Sequence, residues 1–307
     1  MSGVDSVLLI AFGGPEKPED IKPFLEIVSA GRRIPPERIE EVTHHYELIG
    51  GRSPLNELTM RQAEGLRQAL KREGIETPVY VGMRNWHPFL HETLAEMRDR
   101  GHRRALGIIL SSFQTEASWE RYVADVAAAR EKVGAGAPEV AYAPPWAEHP
   151  RFIDAMVARA GDALGQVPAS KRAEALLVFT AHSVPVAMAS GSPYARQLEA
   201  AALLIAGRLG HARWQLAYQS RSGSPSDPWL GPDICDVIRG MRGQGIEDVV
   251  VIPIGFVCDH VEVLYDLDVE ARAVAAEVGL RLHRAQAAND HPAFIAMLAD
   301  LVARGPR

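Results

Sequence analysis

Asp248-Val249-Val250-Val251-Ile252-Pro253-Ile254-Gly255-Phe256-Val257-Cys258-Asp259-His260-Val261-Glu262-Val263-Leu264-Tyr265-Asp266-Leu267-Asp268-Val269-Glu270 carries an apolar run straight into a string of acids and one histidine. From Val249 to Ile254 both faces of the pleat are apolar and β-branched residues dominate. That pattern suits a central parallel strand covered by helices on both sides. Gly255 ends the run, and Asp259 with Glu262 reads as the start of a helix, Asp259 as N-cap and Glu262 as the acid of a capping box. In folds of this kind ligands lie beyond the carboxyl ends of strands. Glu262, Asp266 and Glu270 stand four residues apart and share one ridge, which drifts by about 40° per step on an α-helix. Like charges at this spacing repel by a few tenths of a kcal/mol unless a cation or solvent relieves them, about as much as an opposite-charge pair gains. Two readings stay open on spacing alone: a site that attracts cations, or a wet face opposite a core-facing arc of Leu264, Leu267, Ala271, Val274 and Val278.

The same alternation runs along the whole chain. Apolar runs at Val7 to Ala11, Val79 to Val81, Leu106 to Leu110, Val140 to Ala143, Leu176 to Phe179, Trp214 to Tyr218, Val249 to Ile254 and Leu280 to His283 alternate with segments of helical period. The long helices are expected at Leu55 to Arg72, Phe89 to Arg100, Trp119 to Val133, Arg151 to Leu164, Tyr194 to Leu209 and His260 to Val278. Alternating strand and helix implies an α/β fold with parallel sheets. A short motif recurs: His149-Pro150-Arg151-Phe152-Ile153 returns as His291-Pro292-Ala293-Phe294-Ile295, and Phe113 to Tyr122 has the spacing of Phe256 to Tyr265. Two similar doubly wound halves of four strands follow, 1–168 and 169–307, with the last helix free to cross back to the first. Two such sheets facing each other would leave a cleft between their strand ends.

The 307 residues suffice for two such halves, since domains commonly hold about 100 to 200 residues. A net charge of −6 with both signs abundant argues against a dominant nucleic-acid footprint. No apolar stretch reaches the roughly 18 residues that span a bilayer, so a cytoplasmic protein is expected. Cys235 and Cys258 form no CxxC spacing and read as small buried hydrophobes rather than ligands of a cluster. No GxGxxG or Walker pattern follows a strand, which argues against a nucleotide cofactor.

His182 stands directly after the strand Leu176 to Thr180, in a loop closed by Pro185. A lone histidine there is either a satisfied structural residue or, with Glu262 from another strand end, half of a pair able to move protons or hold a divalent cation transiently. Ser183 is a poor nucleophile candidate, because no G-x-S-x-G elbow surrounds it.

Several segments, in order over nearly the whole chain, carry a resemblance: Leu8-Leu9-Ile10-Ala11-Phe12-Gly13-Gly14-Pro15, Tyr46-Glu47-Leu48-Ile49-Gly50-Gly51-Arg52-Ser53-Pro54-Leu55, Thr180-Ala181-His182-Ser183-Val184-Pro185, Asp227-Pro228-Trp229-Leu230-Gly231-Pro232 and Gly255 to Asp268. Together they resemble the ferrochelatases. The resemblance implies two flavodoxin-like halves, insertion of ferrous iron into a porphyrin for haem biosynthesis, and His182 and Glu262 at the metal centre. It further implies an acidic metal path along Glu262, Asp266 and Glu270, with iron and porphyrin as substrates and no resident cofactor or iron-sulfur cluster. Candidate porphyrin contacts are Phe12, Trp86, Tyr122 and Trp229 for the flat face and Arg32, Arg33, His45, Arg52 and Ser53 for the polar edge. Phe12 stands where similar bacterial enzymes often carry tyrosine, and His45 where some carry arginine. The charged Ser29 to Glu41 segment lacks an apolar lip, which favours coproporphyrin III, with four propionates, over protoporphyrin IX. A monomer is expected. The alternatives are a porphyrin- or haem-binding protein without turnover, and a chelatase for another tetrapyrrole or metal.

Overall fold

The computed structural model describes residues 3–31, 35–222 and 227–306. Among these residues eight strands form two sheets: β1 (Ser6–Ala11), β2 (Val79–Met83), β3 (Arg104–Ile109) and β4 (Glu139–Tyr142) in the first, β5 (Leu176–His182), β6 (Trp214–Gln219), β7 (Asp248–Ile252) and β8 (Arg281–Arg284) in the second. The strand orders are β2-β1-β3-β4 and β6-β5-β7-β8, and every pairing is parallel. All residues of β1 and β7 are buried, as a strand sandwiched between helical layers requires. The fold is therefore α/β, built twice on one topology. The repeated His-Pro motif has a structural counterpart: His149 and His291 each accept, through the ring, the backbone N–H two residues on at the start of helices Pro150–Gly165 and Pro292–Arg304.

The chain divides into two compact units. Unit 1 comprises Met1–Ser111, Ala117–Pro145 and Asp290–Arg307, and unit 2 comprises Ser112–Glu116 and Trp146–Asn289. This differs from a division at 168. The helix Pro150–Gly165 buries Phe152, Ile153, Met156 and Ala160 and packs on the helix Tyr194–Arg208 and on β7 and β8. Its apolar face demanded cover, but periodicity alone does not say which sheet supplies it. The helix Pro292–Arg304 packs on Leu55–Arg72 in unit 1, where Arg61 Nε also donates to Asp290 Oδ2 at 2.9 Å.

Two local departures concern the decisive stretch. β7 stops at Ile252 rather than Ile254, because Pro253 has no N–H for the ladder. The single helix expected over 260–278 is broken into α-helix Val261–Leu264, a π-helical turn Asp266–Ala271 and α-helix Arg272–Glu277. Its core face is Val263, Leu267, Ala271, Val274 and Ala275, packed with Val178, Val249 and Val251. Helices Ile21–Ser29, Pro36–Leu48 and Ile234–Gly240 were not anticipated. None of the helices of the described residues is long and apolar enough to cross a membrane.

Candidate functional site

His182 is the last residue of β5, so the sheet itself delivers it. Its Nδ1 donates to the carbonyl oxygen of Ser183, which assigns the neutral ring the tautomer with a lone pair on Nε2. That Nε2 lies 3.7 Å from Glu262 Oε1, and each side chain is about one-third exposed (33% and 35%). Behind the pair, the buried Tyr194 hydroxyl donates to the His182 carbonyl at 2.8 Å, and burial pushes its pKa well above the usual phenol range. The Ser183 hydroxyl is committed to the Leu230 carbonyl at 2.7 Å, which removes it as a nucleophile.

Gly255 makes the approach of the two strand ends possible. Its N–H donates to Thr180 at 3.0 Å, and a Cβ there would fall 2.4 Å from the Cβ of Ala181, beside His182. The helix that follows starts one residue later than the sequence suggested. His260 is the N-cap, and its Nδ1 accepts the Glu262 backbone N–H at 3.2 Å. Burial lowers the His260 pKa, which keeps the ring an acceptor. The Glu262 carboxylate is thus not used in a capping box. Asp259, read as the cap, is instead a buried anchor. It accepts Arg284 Nη1 at 2.9 Å, the Ala287 N–H at 3.1 Å and Asn289 Nδ2 at 2.8 Å, while its own N–H donates to Asn289 Oδ1 at 2.9 Å.

The π turn bears on the acid ridge. A π turn holds more residues than an α turn, so a step of four falls short of a full circle where the α step overshoots it. The two deviations oppose each other, and Asp266 feels the charges of both Glu262 and Glu270. Asp266 is buried and Glu270 exposed, so a wet-face reading fails for Asp266 and stands for Glu270. Burial and then the neighbouring Glu262 push the Asp266 carboxyl up to about 8, against a hydrogen bond from Ser220 that acts the other way. Gln219 Nε2 donates to the Glu262 carbonyl, tying β6 to the same helix. Among the described residues no three or more His, Cys, Asp or Glu gather as a ready metal shell. The donors form a series, His182 with Glu262 and then Asp266 and Glu270, suited to passing a cation or proton along rather than caging it.

Unit 1 holds an aromatic group at the carboxyl ends of β1 and β2. Phe24 stands edge-on to Phe12 (6.3 Å between ring centres), Tyr46 (6.2 Å) and Trp86 (6.1 Å). Gly13 has φ +86°, and a Cβ there would lie 2.9 Å from the Trp86 nitrogen, so the turn carrying Phe12 needs glycine. Asn56 then pins this turn, exchanging two 2.9 Å hydrogen bonds with Gly14. Phe12 is 37% exposed, and Arg84 lies over its ring at 5.8 Å. Arg84 also covers Tyr122 at 4.3 Å and pairs with Asp125. Tyr122 is buried in the core with Leu8, Ile10 and Leu94, so it supports Arg84 more than it offers a free face.

The remaining candidates are dispersed. His45 is mostly buried on helix Pro36–Leu48, with its pKa lowered by burial and Glu41 3.9 Å away. Arg52 is well exposed, 4.0 Å from Glu57. Ser53 is buried, its N–H donating to Pro15 at 2.8 Å and its hydroxyl accepting from Leu55 at 3.3 Å at the head of a helix. Trp229, in unit 2, lies where its neighbours Pro228 and Leu230 bond to Val186 and Val184, and its buried Nε1 has no hydrogen-bond partner among the described residues. Arg32 and Arg33 lie outside the described residues. Sequence reasoning missed Asn56, Phe24, Arg84, Tyr194, Ser220, His260 and Arg284. Of these, Arg84, Ser220 and His260 left a signal, since each sits in a polar loop beyond a strand end; Ser220 takes φ 59° there.

Comparison with known proteins identifies the family and the fold. The sequence pattern that defines the family described as ferrochelatase matches residues 4–305. The chain is 44% identical over 301 residues to the coproporphyrin III ferrochelatase of Mycolicibacterium paratuberculosis, covering 97% of this chain and 87% of that protein. It is 44% identical over 307 residues to the coproporphyrin III ferrochelatase of Nocardia farcinica, with the same coverage of 97% and 87%. The ferrochelatase of Rhodopirellula baltica is 43% identical over 302 residues, covering 97% of this chain and 85% of that protein. Among solved structures, SirB from Bacillus subtilis with Fe3+ superposes with a TM-score of 0.63 over 98% of this chain and 95% of that one; at 11% identity the likeness is one of fold. By sequence over nearly its full length, the chain belongs to the ferrochelatase family.

Proposed function

We propose that this chain inserts ferrous iron into coproporphyrin III, acting as a porphyrin metal chelatase of the lyase class, in the cytoplasm, as a monomer and without a resident cofactor. The observation that carries the reading is the His182–Glu262 pair at 3.7 Å, with the imidazole lone pair turned to the carboxylate. Metallation exchanges one ferrous ion for two pyrrole N–H protons, so the site needs a base and an acceptor for both. His182 Nε2 takes the first proton. The resulting imidazolium is stabilised by the Glu262 carboxylate and by Ser183, which continues to accept from Nδ1. Glu262 accepts the second, or, where it receives the incoming iron, that proton passes to solvent at this part-exposed pair, and Asp266 and Glu270 extend its reach along the helix.

The choice of porphyrin rests on relatives named coproporphyrin III ferrochelatase, at 44% identity. Phe12 and Trp86 are the ring-face contacts of this reading, and Trp229 is a third. Arg32, Arg33, Arg52, His45 and Ser53 meet the propionates through charge-assisted and neutral hydrogen bonds. Phe12 offers the ring an apolar face and no oxygen ligand.

The test is anaerobic incubation of the protein with ferrous iron and either coproporphyrin III or protoporphyrin IX in detergent-free buffer, followed by the visible spectrum. Several turnovers with coproporphyrin III and slower ones with protoporphyrin IX are expected. His182→Ala should slow insertion by about 100-fold or more, the usual reach of a general base. Porphyrin binding without turnover would instead indicate a carrier, and an unimpaired His182→Ala would overturn the assignment of the base.

A further inference from the structure

The Arg284 guanidinium grips both ends of the segment that presents the acids. Arg284 closes β8 and is only 12% exposed. Its Nη1 donates to Asp259 Oδ1 at 2.9 Å, its Nε to Asp268 Oδ1 and Oδ2 at 2.8 and 2.9 Å, and its Nη2 lies 2.8 Å from Asp268 Oδ2. Asp259 precedes Glu262 by three residues, and Asp268 follows Asp266 by two. Between them lie the His260 cap, Glu262, the change from α to π winding and Asp266.

A π turn is rarely favoured by its own hydrogen bonds, so something outside must hold it. Here Asp268, inside the π turn, is held by Arg284, with Arg272 as a second, more exposed partner at 3.3 Å. Asp259 is fixed by the same guanidinium and by Asn289. One planar, rigid cation thereby sets the distance between the start of the helix and the π turn, and so the offset of Asp266 from Glu262. Lysine offers a single point charge and cannot reproduce a grip on two carboxylates.

We propose that Arg284 is a positioning residue for metal insertion, holding Glu262 and Asp266 in register by clamping Asp259 to Asp268. This rests on the reading of Glu262 as part of the insertion site. Arg284 acts through the helix it fixes.

Arg284→Lys tests it, with Arg281→Lys as comparison. Arg281 is on the same strand but at its opposite end, where it pairs with Asp248 (2.6 Å) and Glu247 (3.1 Å), away from the acids. Each variant is assayed for melting temperature, for kcat and KM with ferrous iron and with coproporphyrin III, and for binding of Co2+ alone through its visible absorption. Arg284→Lys is expected to lose about 10- to 100-fold in Co2+ affinity and in kcat/KM for iron, the usual effect of disturbing a ligand's support, with KM for the porphyrin unchanged. Arg281→Lys should lower the melting temperature and leave these constants alone. If Arg284→Lys loses stability yet keeps wild-type iron kinetics and Co2+ affinity, the clamp is structural only and the proposal falls. Should Arg284→Lys fail to fold, Asp268→Asn, which weakens one half of the grip, is measured the same way with the same two outcomes. Failure of the underlying site is seen separately, as wild-type protein that inserts no iron.

Discussion

Ser220, held in the left-handed region at φ 59°, donates its hydroxyl to the carboxyl of Asp266, a buried acid that lies between two other acids on its helix. The hydroxyl and a hydrogen bond from Gln219 do not offset burial and two like charges, so the carboxyl is pushed up to about 8.

Stability should therefore fall as pH rises. The folded-state value lies above the ordinary carboxylate value, so the folded protein holds a proton that the unfolded chain releases. The contribution is complete below the ordinary value of 3.8, declines above it and is gone once pH passes about 8. Asp266→Asn should remove this slope. Its melting temperature should exceed that of wild type by a margin that widens with pH and levels off near pH 8; a margin independent of pH would refute the assignment.

Glu262→Gln should separate folding from chemistry. The cap at this helix uses the Glu262 backbone N–H, accepted by His260, and leaves the carboxylate to face His182 at 3.7 Å. The variant should melt within about 1 kcal/mol of wild type, as at positions free of a cap or core role, while iron insertion drops by about 100-fold. Loss of folding would show that the carboxylate has a structural task.

Gly255→Ala should damage both. The new methyl would meet Ala181 Cα at 2.5 Å and Cβ at 2.4 Å, strand atoms that cannot swing aside. A cost of about 1–3 kcal/mol or more is expected from overpacking, together with reduced insertion, because the displaced strand carries His182 one residue on. Denaturant unfolding and the insertion assay measure the two effects.

Arg281→Met should make the protein acid-sensitive. Hydrogen bonds from Arg281 and then His283 hold the buried Asp248 below the usual carboxylate range, against the opposing effect of burial. A lowered folded-state value contributes stability that is present above the ordinary value and disappears as pH falls below it. Without Arg281 most of that lowering goes, so the acid-unfolding midpoint should move to higher pH, as followed by circular dichroism.

The sequence showed more of the architecture than of the site. Eight apolar runs foretold eight strands because a parallel sheet buried on both faces demands them, and the His-Pro repeat foretold the doubling. The pairing of His182 with Glu262 was foreseeable as two strand-end residues. The π turn was not, since periodicity assumes uniform winding, and neither was the true partner of Asp259, because Arg284 and Asn289 lie about one strand further along the chain. Polar residues that fix others, such as Asn56 on Gly14 and Tyr194 on His182, leave no pattern at all. Their meaning is set by what they touch.

The return of Asp290–Arg307 to unit 1 has a consequence for how the chain is made. Unit 2 is nearly continuous in sequence, so its sheet closes over short stretches of chain. Unit 1 spans almost the full length, and helix Leu55–Arg72 lacks its cover until Pro292–Arg304 has left the ribosome. Contacts of that sequence separation form slowly and leave apolar surface waiting. The half whose chain begins first is thus the half whose contacts close last.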